Sequence, residues 1–114
     1  MTIDWVRGVC AKFPHVVEDV KWESVLTFTI GNKMFAATLL EPGEVWLSLK
    51  CTPEDFGELT ERLGCRQAPY FARGQWVAFE RPDAVSAREY ERLLRQAYDL
   101  VFAKLTKKLQ KELS

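Results

Sequence analysis

The sequence is short of most residues from which a chemical site is built. It has one histidine, His15, and three widely spaced cysteines, Cys10, Cys51 and Cys65, with no CxxC pair. A metal site needs several converging ligands and a nucleophile needs a positioned base, so neither chemistry has its usual parts here. The cysteine pattern fits a reduced, cytoplasmic compartment better than a disulfide framework. Asp4 stands where a signal peptide would carry positive charge, and no apolar run approaches the roughly 18 residues of a membrane span. The expectation is a chain that is neither exported nor held in a membrane. Net charge is lacking too: 16 Lys and Arg balance 16 Asp and Glu. That excludes a chain-wide attraction to nucleic acid or anionic lipid but leaves room for a local patch. There is no phosphate loop, because Gly31 and Asn32 join two extended runs instead of opening a helix. Repeats, low-complexity tracts and linkers are missing as well. With no convergent acid, base and nucleophile, the sequence predicts a protein that is not an enzyme and holds no cofactor or metal.

What is present is an apolar share of 47% over 114 residues. That suffices for one domain, residues 1–114, removing roughly 65% of its unfolded surface from water. Its centre is Ser24 to Lys50. Leu26, Phe28 and Ile30 alternate with Thr27 and Thr29, the period of a half-buried strand. Gly31 and Asn32 supply the positive φ angles of a two-residue hairpin turn. That pairing sets Phe28 against Phe35 and Leu26 against Ala37. A five-residue loop, Leu40 to Glu44, then pairs Leu39 with Val45. One face of this three-stranded meander carries Leu26, Phe28, Ile30, Phe35, Ala37, Leu39, Val45, Leu47 and Leu49. The other carries Thr27, Thr29, Met34, Ala36, Thr38, Trp46, Ser48 and Lys50.

Thr2 caps a first helix with Ile3, Val6, Val9, Cys10 and Phe13 inward, closed by Pro14. His15 to Glu23 reads as a connector packed against the body. Thr52, Pro53 and Asp55 open a short helix with Phe56, Leu59 and Leu63 inward and Gly64 at its end. Ala68–Phe71 and Gln75–Glu80 read as a second hairpin around Arg73 and Gly74, with Val77 and Phe79 on one face and Trp76, Ala78 and Glu80 on the other. Ser86 and Glu89 form a capping box, after which Tyr90, Leu93, Leu94, Ala97, Tyr98, Val101, Leu105 and Leu109 keep helical spacing. This long last helix is expected across the core face. The fold class is α+β, an antiparallel sheet against helices in the order α-β-β-β-α-β-β-α.

With that order, the run from Phe28 to Ala36, the strand Leu47–Lys50 before a capped helix, Ala68-Pro69-Tyr70, Trp76-Val77 and the Ala97–Val101 stretch resemble the MmcQ/YjbR family of small bacterial proteins. The likeness covers nearly the whole chain. It implies a fold similar to secretion chaperones and, more loosely, to frataxin-type sandwiches. Members are commonly labelled DNA-binding, and no catalytic residues come with the family. Family members often have Ser at the position of Ala97, so no role transfers through it. The frataxin likeness brings no iron ridge, since the first helix offers only Asp4.

Candidate binding residues follow from charge and aromaticity. Lys33 at the hairpin tip, Lys50, Arg73, Trp46 and Trp76 are the cations and indoles of the outer sheet face; Lys104, Lys107 and Lys108 lie with Lys111 at the end of the last helix. Cations beside aromatics suit DNA phosphates and bases. They equally suit a protein partner or homodimer, and indoles also fill gaps between layers. Helix-terminal lysines also complement the dipole as a solvated face. Cys51, beside the capping Thr52, is the thiol nearest a helix N-terminus, where thiolate is favoured.

Overall fold

The computed structural model describes residues 1–41, 43–68 and 75–113. These form α1 (Ile3–Cys10), β1 (Val17–Lys21), β2 (Val25–Ile30), β3 (Lys33–Leu39), β4 (Leu47–Lys50), α2 (Pro53–Leu59), β5 (Cys65–Gln67), β6 (Trp76–Phe79), α3 (Ala87–Ala103) and α4 (Lys107–Leu113). The six strands make one antiparallel sheet in the order β1-β2-β3-β4-β6-β5. The α+β class stands, with one strand more than the sequence predicts. None of the described helices is long and apolar enough to cross a membrane.

The extra strand is β1, where the sequence predicts a connector. All five of its residues are exposed, so an edge strand with Glu18, Asp19 and Lys21 carries no alternation of core and solvent to betray it. It is tied to β2 through side chains as well as backbone: the Thr27 and Thr29 hydroxyls donate to the Asp19 and Val17 carbonyls, at 2.9 and 3.4 Å. Charges along an edge blunt its tendency to pair with other chains.

The β2–β3 turn is as expected, with Gly31 and Asn32 at φ of 58° and 66°, and Ile30 faces Lys33. One rung later the ladder slips. Phe28 pairs with Ala36, not Phe35, and Leu26 pairs with Thr38, not Ala37. Phe35 is the additional residue of a β-bulge, so it and Ala36 both enter the core. Everything beyond it in β3 changes face: Thr38 now lies with Leu26 and Leu47, and Ala37 with Thr27 and Ser48. β4 faces as read, with Leu47 and Leu49 fully buried, but Val45 packs instead with the small second-face cluster of Ala68, Trp76 and Ala78.

The core lies between the sheet and the helices. Phe28, Ile30, Phe35, Leu47, Leu49, Val77 and Phe79 meet Tyr90, Leu93, Leu94 and Ala97 of α3, none of them accessible to solvent. Each large apolar side chain so buried contributes roughly 1.5–3 kcal/mol. Two tyrosines pin α3 at both ends of this contact. The Tyr90 hydroxyl donates to the Arg81 carbonyl at 2.9 Å, and the Tyr98 hydroxyl to the Pro14 carbonyl at 2.8 Å.

Two helices differ from expectation. α2 ends at Leu59, and Leu63, read as inward, is 97% exposed. The long C-terminal helix is broken after Ala103, because Thr106 caps a new one: its hydroxyl accepts from the Leu109 N–H at 3.2 Å, while the Gln110 amide donates to the carbonyls of Ala103 and Leu105. The break lets Leu105 and Leu109 fold onto the hairpin tip. A Cβ on Gly31 would stand 2.8 Å from Leu105 Cδ1 and 3.0 Å from Leu109 Cδ2. The second hairpin begins earlier than expected, at Cys65; Ala68 still bonds to Trp76, and the rest of the first expected run, with the Arg73–Gly74 turn, lies outside the described residues.

These two glycine environments predict opposite outcomes. Gly31→Ala should lower stability by about 1–3 kcal/mol, from positive φ plus the clash with two leucines. Gly8→Ala, on α1 with nothing within 4 Å, should raise it by about 0.5–1 kcal/mol. Urea denaturation of the two variants checks both signs.

Candidate nucleic-acid interface

The strand directions decide which charges can meet. β3 starts and β4 ends beside the Gly31–Asn32 turn, since Ile30 faces Lys33 and Ala36 faces Leu49. α3 runs over the core face toward the same end, where Leu105 and Leu109 cover the turn. Lys33, Lys50, Lys104 and the lysines of α4 are thereby drawn to one pole of the molecule. Lys33, Lys104, Lys107 and Lys108 are exposed, while Lys50 is half-buried.

Lys104 lies near enough to Lys50 for its charge to act on it. The Lys50 ammonium is held below its ordinary value, first by burial and then by the neighbouring charge of Lys104. The ion pairs are formed elsewhere, by arginines. Six arginines are satisfied by acids: Arg7 with Asp4 and Glu18, Arg62 with Glu58 and Glu89, Arg66 with Glu44 and Glu80, Arg81 with Asp83, Arg92 with Asp55, and Arg95 with Asp99. Among the described residues Lys33, Lys50, Lys104, Lys107 and Lys108 have no such partner. A neutral total therefore conceals an end rich in lysine.

The indoles do not offer an open stacking face beside these lysines. Trp76 is only 6% exposed and packs with Ala68 and Ala78 on the second face. Trp46 leans instead on α3: its ring meets Tyr90 edge-on at 5.3 Å, and its Nε1–H donates to the Tyr90 hydroxyl at 3.2 Å. The outer face is thus not the aromatic and cationic platform that the sequence predicts. Trp76 faces Lys50 across the β4–β6 ladder but is covered, and Trp46 is turned to α3. Arg73 lies outside the described residues.

The thiols are closed off. Burial pushes Cys10 and Cys51 up to about 12, so proximity to the start of α2 does not make Cys51 a thiolate, and Cys65 is also raised by burial. His15 is exposed at a φ of 61° in the turn after α1.

A second feature has no counterpart in the sequence reading. β3 and β4 pair over three rungs, the last being Thr38 with Leu47. Beyond it Leu40 bonds to Ser24, and Trp46 to Phe79. Where the strands part there is a cavity of about 480 Å³, at the end of the sheet away from the lysines. Thr38 is 1% exposed, and its hydroxyl has no partner among the described residues. Leaving such a group unsatisfied costs about 1–3 kcal/mol. The sequence signal was limited to the loop residues Leu40 to Glu44; the bulge that moves Thr38 was not foreseen.

Against this geometry, the YjbR family profile matches residues 11–100. The chain belongs to the YjbR family. Among solved structures, this YjbR chain is similar to Deinococcus radiodurans protein DR2400, described as a DUF419-domain protein. The identity is 31% over 97% of this chain and 86% of that one, with a TM-score of 0.88. A Pseudomonas syringae protein shares the fold at 20% identity, over 88% of this chain and 98% of that one, with a TM-score of 0.71. No significant match was found among proteins with curated descriptions.

Lys50 offers a check on the lysine end. Because its folded-state pKa is lowered, folding disfavours its protonated form. Its charge costs stability at neutral pH, and the cost is relieved as pH rises through the folded pKa toward the ordinary 10.5. An NMR titration of the lysine ammonium groups should find Lys50 below the ordinary range. Lys104→Gln should move its midpoint part of the way back, with burial holding the remainder. A midpoint unaffected by Lys104→Gln would mean that the two side chains do not face each other.

Proposed function

We propose that this YjbR-family chain is a non-enzymatic DNA-binding protein that grips phosphates at its lysine end without reading bases. The observation that carries the reading is the pole formed by Lys33, Lys50, Lys104, Lys107 and Lys108, where cations from the hairpin, β4, the end of α3 and α4 meet without an ion-pair partner among the described residues. Lysine suits this role as a flexible, strongly hydrated point charge that follows a phosphate backbone without fixing its geometry. With Trp46 bonded to Tyr90 and Trp76 buried, base stacking does not contribute. Affinity then comes from counterion release, so binding is sequence-independent and steeply weakened by salt. The family resemblance points the same way.

Fluorescence anisotropy with labelled duplex and single-stranded oligonucleotides over a salt series tests this. The protein should bind several unrelated sequences alike, and log K should fall linearly with log salt. The variant Lys104→Gln, Lys107→Gln, Lys108→Gln should bind at least tenfold more weakly at low salt, with a slope shallower by about three charges. Affinity indifferent to salt, or unchanged in that variant, would remove the proposal.

A further inference from the structure

We infer that β1 is a self-association edge: two copies of the chain pair it antiparallel, related by a two-fold axis at Val20. β1 closes one side of the sheet, with β2 as its neighbour. The Thr27 and Thr29 hydroxyls donate to the Asp19 and Val17 carbonyls, so those residues turn their backbone groups toward β2. Backbone direction alternates along an antiparallel strand, which leaves the N–H and C=O of Glu18 and Val20 facing outward. All five residues of the strand are exposed. Val17, Val20 and Trp22 make up half of the exposed large apolar side chains among the described residues, so that surface is gathered at this edge instead of being scattered singly.

Charge selects the occupant and the register. A strand that meets its own copy must set outward-facing residues opposite outward-facing ones. Of the axes that keep the middle of β1 paired, one at Asp19 opposes two carboxylates, as does one at Glu18, and one at Lys21 opposes two ammonium groups. The axis at Val20 sets Val20 against Val20, which exchange two backbone hydrogen bonds, and places Asp19 opposite Lys21 of the second copy on both sides of it. Both charges are available: Glu18 is engaged by Arg7, whereas Asp19 and Lys21 form no ion pair among the described residues. The charges that discourage other strands from this edge are therefore matched by its own copy. Val20 also lies across from the buried Leu26, so the contact extends an apolar row past the edge. It is short, which makes the dimer weak and dependent on concentration. The antiparallel arrangement points the two lysine ends in opposite directions, so the inference does not rest on DNA binding.

Sedimentation velocity over a concentration series at fixed low salt tests it. The parent chain should move from monomer toward dimer as concentration rises. Asp19→Lys sets lysine against lysine and Lys21→Asp sets aspartate against aspartate, and each should weaken dimerisation about tenfold. Combining Asp19→Lys with Lys21→Asp reverses both charges and should restore dimerisation to within about threefold of the parent, a recovery that loss of folding would not produce. Val20→Pro removes an outward N–H without taking a bond from the β2 ladder, and should give a monomer with an unchanged circular dichroism spectrum. The inference is overturned if the parent chain stays monomeric at every concentration, if neither single charge reversal weakens association, or if the double reversal fails to recover it.

Discussion

The packing of α3 across the core face of the sheet is the contact on which the other features rest. Tyr90 and Tyr98 fix its two ends by donating to Arg81 and Pro14, and Leu93, Leu94 and Ala97 close the space between them. Neither hydroxyl belongs to the sheet, so each also ties down a neighbouring segment: the turn into α3 in one case, the loop between α1 and β1 in the other. Removing either hydroxyl would release that segment from α3. Because α3 is held along its length, its last turn must arrive over the Gly31–Asn32 hairpin. The missing Cβ of Gly31 is what lets Leu105 and Leu109 settle there.

Much of this was legible from residue spacing, and the failures have one physical root. Capping residues Thr2, Thr52 and Ser86 act as read, each accepting from the backbone three residues on. The hairpin turn, the inward faces of β2, β4 and β6, and the stripe of α3 are also as expected, because alternation and helical periodicity report directly on burial. A β-bulge has no such signature: Phe35 and Ala36 are both apolar, and only the three-dimensional pairing reveals that one is supernumerary. That single residue reversed Thr38 and Ala37, and with them the cavity wall. β1 escaped because an edge strand exposed on both sides has no period to detect, and the helix break at Thr106 because apolar spacing runs on through it. As for the candidate site, the lysines of separate segments were recognised individually, but their meeting depends on topology. The tryptophans were misplaced because an indole can satisfy an outward position in the pattern while lying buried under its neighbours.

The resulting molecule separates its chemistry along the strands. Arginines are spent on local ion pairs such as Arg62 with Glu89 and Arg92 with Asp55, which clamp α2 and its following turn to α3. Exposed pairs of this kind add little stability each, but they neutralise charge in place. Lysines gather at the hairpin end, where Lys33, Lys50, Lys104, Lys107 and Lys108 have no ion-pair partner among the described residues. At the other end the strands open into an apolar recess. Membership of the YjbR family accounts for the fold, and the proposed DNA binding rests on the lysine end.

The central claim is that nucleic acid meets the protein at the hairpin end and nowhere else. A two-dimensional amide NMR spectrum, followed as a short duplex is added at low salt, maps that contact residue by residue. The account predicts shifts at Asn32 and Lys33, at Lys50, and from Lys104 through Lys111, with Ser24, Trp46 and Ser48 unmoved. Shifts centred on β1 or on the recess, or a spectrum that the duplex leaves unchanged, would contradict it.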